Sequence, residues 1–112
     1  MGDSLAILKG TLDLLVLKAL TNGERHGFEI TQWIEERSGG TLDFDDSGVY
    51  HALYRLEKRG LVKADWGVTA KNRQARYYSL TRKGSAHLTE ETDRLLQYAA
   101  TLGAILTSPA DG

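Results

Sequence analysis

The sequence predicts a mostly α-helical domain with one small β-hairpin, followed by a separate C-terminal helix. Three observations predict it. Residues 44–60 (FDDSGVYHALYRLEKRG) carry a complete helix signature, with a start, a stop and two unlike faces. Two helical patterns precede that stretch, and two alternating stretches around a polar tip follow it. Further on, Leu88, Thr92, Leu95, Ala99, Leu102 and Leu106 recur at 4-3-4-3-4 spacing, the seam of a helix that packs on another helix.

In chain order, residues 5–22 hold Leu8, Leu12, Leu15, Val16, Ala19 and Leu20 at helical spacing, with Thr11 as a cap and Asn22-Gly23 as the stop. A second helix runs from His26 to about Ser38, its apolar positions being Phe28, Ile30, Trp33 and Ile34. Gly39-Gly40 breaks the chain, and Thr41–Phe44 alternates like a very short strand. Asp45 then caps the third helix, with Phe44 and Val49 at the spacing of a hydrophobic staple. Lys58 and Arg59 suit the negative end of that helix, and Gly60 ends it. Val49, Ala52, Leu53 and Leu56 form its core face. Ser47, Gly48, His51, Tyr54, Arg55 and Lys58 form a polar, cationic face that burial does not explain.

After Gly60, Val62, Ala64 and Trp66 alternate with Lys63 and Asp65 as a half-buried strand. Residues 69–75 read as a polar loop, and Arg76–Thr81 returns as a second strand rich in aromatic residues. A hairpin that follows a helix-turn-helix unit is a wing, so the fold expected is a winged helix-turn-helix domain over residues 1–81. Thr81 caps a C-terminal dimerisation helix over residues 82–107, which Ser108-Pro109 stops, and residues 108–112 are expected to be a disordered tail.

At 112 residues the chain makes one domain with a modest core. It has no cysteine, which fits a reducing cytoplasm and excludes a disulfide framework or a thiolate metal site. Asp3 and Lys9 flank too short an apolar run for a leader, and Ala6 stands where myristoylation after Gly2 wants Ser or Thr. LDLLVLKAL is too short to cross a bilayer, so no membrane partner is expected. A cytoplasmic protein is the reading. The formal net charge is −1, yet residues 47–83 hold nine Lys or Arg against only Glu57 and Asp65. Acidic segments flank that basic middle, which suggests a polyanion partner for the middle alone.

Catalytic and metal chemistry finds little support. Asp43, Asp45 and Asp46 lack the glycine and the closing glutamate of a calcium loop. His87 with Glu90 and Glu91 has metal-ligand spacing, but such a trio on an acidic helix is ordinary solvated surface. His26 and His51 have no nucleophile constellation around them, and Gly39-Gly40 has no phosphate-loop spacing. No enzyme, metal or cofactor is expected. Trp33 and Trp66 read as core or interface fillers.

The runs LKGTLDLLVLKAL, HGFEI, SGVYHALYRLEKRGLV, WG and ARYYSLTRKG resemble the PadR-type transcriptional regulators, named for repression of phenolic-acid decarboxylase genes. The likeness covers roughly residues 8–84 in motif order and spacing. It implies a dimeric repressor of nearby genes, with the helix at Asp45–Arg59 in the major groove and the wing at Thr69–Arg76 along the backbone. On this reading Ser47 and Gly48 let the backbone approach DNA, His51 and Arg55 reach into one groove, and Tyr50 and Tyr54 flank them. Lys71, Arg73 and Arg76 then grip phosphate without sequence preference. A symmetric dimer wants an inverted-repeat operator in double-stranded DNA. The family's cleft between the long helix and the first helix implies a small aromatic effector, lined here by Leu8, Leu12, Leu15, Leu95, Tyr98, Ala99 and Leu102.

The chain departs from the family where His51 replaces a frequent proline and where Asp45-Asp46 replaces serine and proline. Two other readings stay open at this stage: a winged-helix protein–protein contact module without DNA binding, and a small-molecule sensor with weak DNA output. The cations kept on the reading helix and wing weigh against the first.

Overall fold

The computed structural model describes residues 5–111. The expectations that rest on Gly2, Asp3 and Gly112 lie outside those residues. Leu5–Ala6 (β1) and Thr11–Ala19 (α1) open the described chain, followed by Arg25–His26 (β2) and Gly27–Ser38 (α2). Leu42–Asp43 (β3) leads into Asp46–Lys58 (α3); Val62–Val68 (β4) and Gln74–Leu80 (β5) form the hairpin, and Arg82–Leu106 (α4) ends the fold. Four helices with a small antiparallel sheet make the winged helix-turn-helix predicted.

The core sits where α1, α2 and α3 meet the foot of the hairpin. Val16, Ile30, Val49, Ala52, Leu53 and Leu56 are wholly buried there, with Leu17 and Leu61 beside them. Burying six such side chains is what holds three short helices that would each be marginal alone. α4 closes the side of this core with Leu88, and Gly84 lets its first turn approach closely, since a Cβ at 84 would overlap the Leu61 carbonyl.

The C-terminus of α3 and the N-terminus of α4 share one junction. Gly60 adopts φ +74°, which frees its own N–H to donate to the Glu57 carbonyl and lets the Leu61 N–H donate to the Leu56 carbonyl. The carbonyls beyond are taken by α4: Lys83 Nζ donates to Arg59 at 3.0 Å, Thr81 Oγ1 to Gly60 at 2.7 Å, and the Thr81 N–H to Leu61 at 3.2 Å. Thr81 Oγ1 also accepts from the Gly84 N–H at 3.0 Å, capping α4.

Four expectations change. The apolar stripe of residues 5–22 is helical only over Thr11–Ala19, because Leu5–Ala6 pairs in parallel with Leu42–Asp43 and Gly10, at φ +87°, stands at the cap. Thr11 is therefore the first helical residue and not the cap. The hairpin gains a third strand, as Arg25 and His26 pair with Tyr78 and Tyr77 in the sheet order β2-β5-β4. The wing loop shrinks to residues 69–73, since Gln74 pairs with Val68 and Ala75 with Gly67. Trp66 is 70% exposed where the alternation predicted half burial, because the wing runs on past the helices that cover Val62 and Ala64.

Candidate nucleic-acid interface

The candidate reading helix, α3, is built as its sequence dictates. Asp45 accepts a hydrogen bond from the Gly48 N–H at 2.9 Å, satisfying one of the donors that the first turn leaves open. With Val49, Ala52, Leu53 and Leu56 all turned into the core, the helical repeat places Ser47, His51, Tyr54 and Lys58 in one stripe on the opposite face. All four are exposed. Lys58 Nζ lies 5.2 Å above the Tyr54 ring, a cation–π contact that keeps its charge on the stripe.

The two flanks of α3 are engaged elsewhere. Toward α1, Leu12 Cδ2 would come within 3.3 Å of a Cβ at Gly48, and Arg55 forks onto Asp13. Its Nη2 donates to Oδ1 at 2.6 Å and its Nε to Oδ2 at 3.3 Å. This hydrogen bond, opposed in part by burial, raises the Arg55 pKa above its ordinary value. Toward α2, the Tyr50 ring lies over Gly27. On the same side Arg76 Nη2 donates to Glu57 at 3.1 Å, with the Trp66 and Tyr78 rings 6.0 and 5.8 Å from the guanidinium.

The residues expected to meet DNA thus fall into three groups. Ser47, His51 and Tyr54 share the outward stripe. Gly48, Tyr50 and Arg55 lie on its flanks, and Arg55 is turned from the direction its four-residue step from His51 suggested. Lys71 and Arg73 are exposed at the wing tip, with no side-chain partner among the described residues, whereas Arg76, opposite Trp66 in the hairpin, reaches back to Glu57 of α3. The tip is shaped by Thr69 and Asn72: the Asn72 N–H donates to the Thr69 carbonyl, and Asn72 takes φ +60°. Sequence reasoning counted Lys58 on the outward face but assigned it no contact. Its four-residue step from Tyr54 was the available signal.

The expected effector cleft is only partly assembled. A groove of about 480 Å³ runs between the start of α1 and the middle of α4, and Leu95 and Tyr98 line it. From α1 it takes Asp13, Leu14 and Leu17, while Leu12 and Leu15 pack against the core instead. Leu8 is 75% exposed ahead of α1, and Ala99 and Leu102 lie exposed further along α4. Along the seam, burial fades from Leu88 through half-buried Thr92 and Leu95 to exposed Leu102 and Leu106. Glu90 and Glu91, weighed with His87 as metal ligands, are paired with Arg94 at 3.3 and 2.9 Å.

A family model described as the transcriptional regulator PadR-like family matches residues 16–90. The chain belongs to that family. An uncharacterised protein of Lysinibacillus sphaericus is 31% identical over 84 residues, which span 75% of this chain and 77% of that one. A transcriptional regulator of Clostridium thermocellum superposes with a TM-score of 0.77 at 23% identity, covering 86% of this chain and 90% of the other. Bacillus subtilis PadR, solved in complex with operator DNA, superposes with a TM-score of 0.66 at 24% identity over 73% of this chain and 47% of its own. The PadR-like match begins inside α1 and ends in the first half of α4. It therefore takes in the whole reading helix and wing and leaves out the exposed end of α4. Among the described residues no helix is long and apolar enough to cross a membrane.

Proposed function

We propose that this PadR-like regulator is a cytoplasmic homodimer that represses neighbouring genes by binding an inverted repeat in double-stranded DNA. Ser47, His51, Tyr54 and Lys58 read base edges and nearby phosphates from the major groove. Lys71 and Arg73 on the wing add affinity without sequence preference. Two copies join through α4, and a small aromatic effector lodging beside Leu95 and Tyr98 relieves repression.

One observation carries the DNA reading: a polar, cationic stripe stands opposite the buried face of α3, beside two exposed wing cations. Exposed apolar side chains at Leu96, Tyr98, Leu102, Ile105 and Leu106 support the dimer, because a lone helix does not leave such a face in water at no cost. That Bacillus subtilis PadR was solved on operator DNA supports the same docking here.

Selection from random duplex DNA with the purified protein tests this. The expected product is an inverted repeat with half-sites about 10 base pairs, or a multiple of that, apart. His51→Ala should relax preference at one or two positions, and Lys71→Ala should weaken all sequences alike while lowering the salt slope by about one. A wild-type protein that binds no duplex at low salt overturns the reading.

A further inference from the structure

Two arginines that the charge pattern assigns to DNA are already committed within the fold. Arg55 leaves one flank of α3 for Asp13 on α1, and Arg76 comes from β5 to Glu57 on the other flank. The pairs differ in polarity, since α3 supplies the cation in one and the anion in the other. They pull on opposite sides of one helix, and between them stands the stripe Ser47, His51, Tyr54 and Lys58.

We propose that Arg55 and Arg76 are positioning residues, which with Asp13 and Glu57 fix the roll of α3 so that its stripe faces one register of base pairs. This rests on the DNA-binding reading above.

The burial of the partners argues for it. Asp13 is only 19% exposed, so an Arg55 that swung out to a guanine would strand a partly buried carboxylate without its counter-charge. Glu57, 35% exposed on the reading helix itself, would face phosphates as a bare anion if Arg76 left it. Each arginine is thus worth more where it is than as another phosphate contact. An exposed ion pair contributes little to stability. A small energy acting on orientation still governs which bases the stripe meets.

Binding measured across a salt series, to the selected operator and to random duplex, separates the two roles. The variants are Asp13→Asn and Glu57→Gln, which are isosteric, and Arg55→Gln and Arg76→Gln, which remove the charge and shorten the side chain, each checked for folding by thermal unfolding. Each should lower the preference for operator over random DNA about three- to tenfold, with affinity for random DNA and the salt slope unchanged. Exchanging the second pair, Glu57→Arg with Arg76→Glu, should restore the preference. Three results overturn the proposal. Arg55→Gln or Arg76→Gln lowers the salt slope by about one, which marks a phosphate contact. Asp13→Asn or Glu57→Gln tightens binding to every sequence, which marks a released cation. Or all four variants keep the wild-type preference. A wild type that binds no DNA rejects the functional reading itself, and the positioning role with it.

Discussion

The ring of Tyr50, on the reading helix, lies directly on Gly27 at the first turn of α2. A Cβ at position 27 would overlap ring atoms Cε1 and Cζ and come within 2.7 Å of the hydroxyl oxygen. The helix-turn-helix is therefore closed by an aromatic face against a bare backbone. His26 fixes that turn from the other side, since its Nδ1 accepts from the Glu29 N–H at 3.3 Å while the Glu29 carboxylate accepts from the His26 N–H at 3.1 Å.

Gly27→Ala follows from that contact. Tyr50 is 49% exposed, so its ring can swing away, and alanine suits a helix better than glycine by about 1 kcal/mol. Stability should change by less than about 1 kcal/mol, whereas operator affinity should fall, and Tyr50→Ala, which removes the same ring from beside the stripe, should lower it as far. Adding Gly27→Ala to Tyr50→Ala should then have no further effect on binding. A double variant that binds clearly worse than Tyr50→Ala would show that Gly27 matters for another reason.

Gly84→Ala should behave in the opposite way. The atom in its path is the Leu61 carbonyl, part of the backbone and fixed by the Thr81 N–H. Nothing there can rotate aside, so the variant should lose about 1–3 kcal/mol or more in chemical denaturation. Gly103→Ala, with open space around it, serves as the control and should be neutral or slightly stabilising.

Tyr78 gives the fold an alkaline limit. Burial raises its pKa above the usual 10.0; Arg76 works against that shift, and Glu57 and Tyr50 add to it. The folded state therefore keeps a proton that the unfolded chain releases near pH 10, so this stability is complete below that pH and is lost as pH rises above it. Tyr78→Phe should flatten the fall in melting temperature above about pH 10 and leave neutral stability nearly unchanged. An unaltered alkaline slope would assign that fall to other groups.

For α4, replacing Leu95 and Leu102 with glutamate should convert the proposed dimer to monomer. Both positions lie on the 4-3 seam, and two charges buried without partners are expensive. Sedimentation at micromolar concentration reads the outcome directly. A wild type already monomeric under those conditions would reject the dimer.

The elements legible from sequence are those specified by local chemistry. Asp45 and Gly60 mark the ends of α3 because a cap and a left-handed residue act within one turn. Thr81 marks α4 for the same reason, whereas His26, read as the first residue of α2, proves to be its cap, boxed with Glu29. The two-residue strands were not legible, since Leu5–Ala6 and Arg25–His26 are defined wholly by partners distant in the chain. Trp66 escaped for a related reason: alternation tells which face of a strand a residue takes, not how far the covering layer extends. Arg55 marks the limit in the site. Helical spacing located its Cα on the edge of the outward face, but Asp13, 42 residues earlier, decides where the guanidinium goes.

The shared end of α3 and start of α4 makes a tiller of the C-terminal helix. Three successive carbonyls, of Arg59, Gly60 and Leu61, are held by Lys83 and Thr81, so the two helices turn together. At about 1.5 Å per residue, the 25 residues of α4 form an arm of about 37 Å. A swing of about 5° moves the far end of such an arm by about 3 Å, close to the rise of one base pair. In the proposed dimer, with the far ends of α4 joined, an equal swing at the junction would shift each α3 by about one base-pair step along a bound duplex.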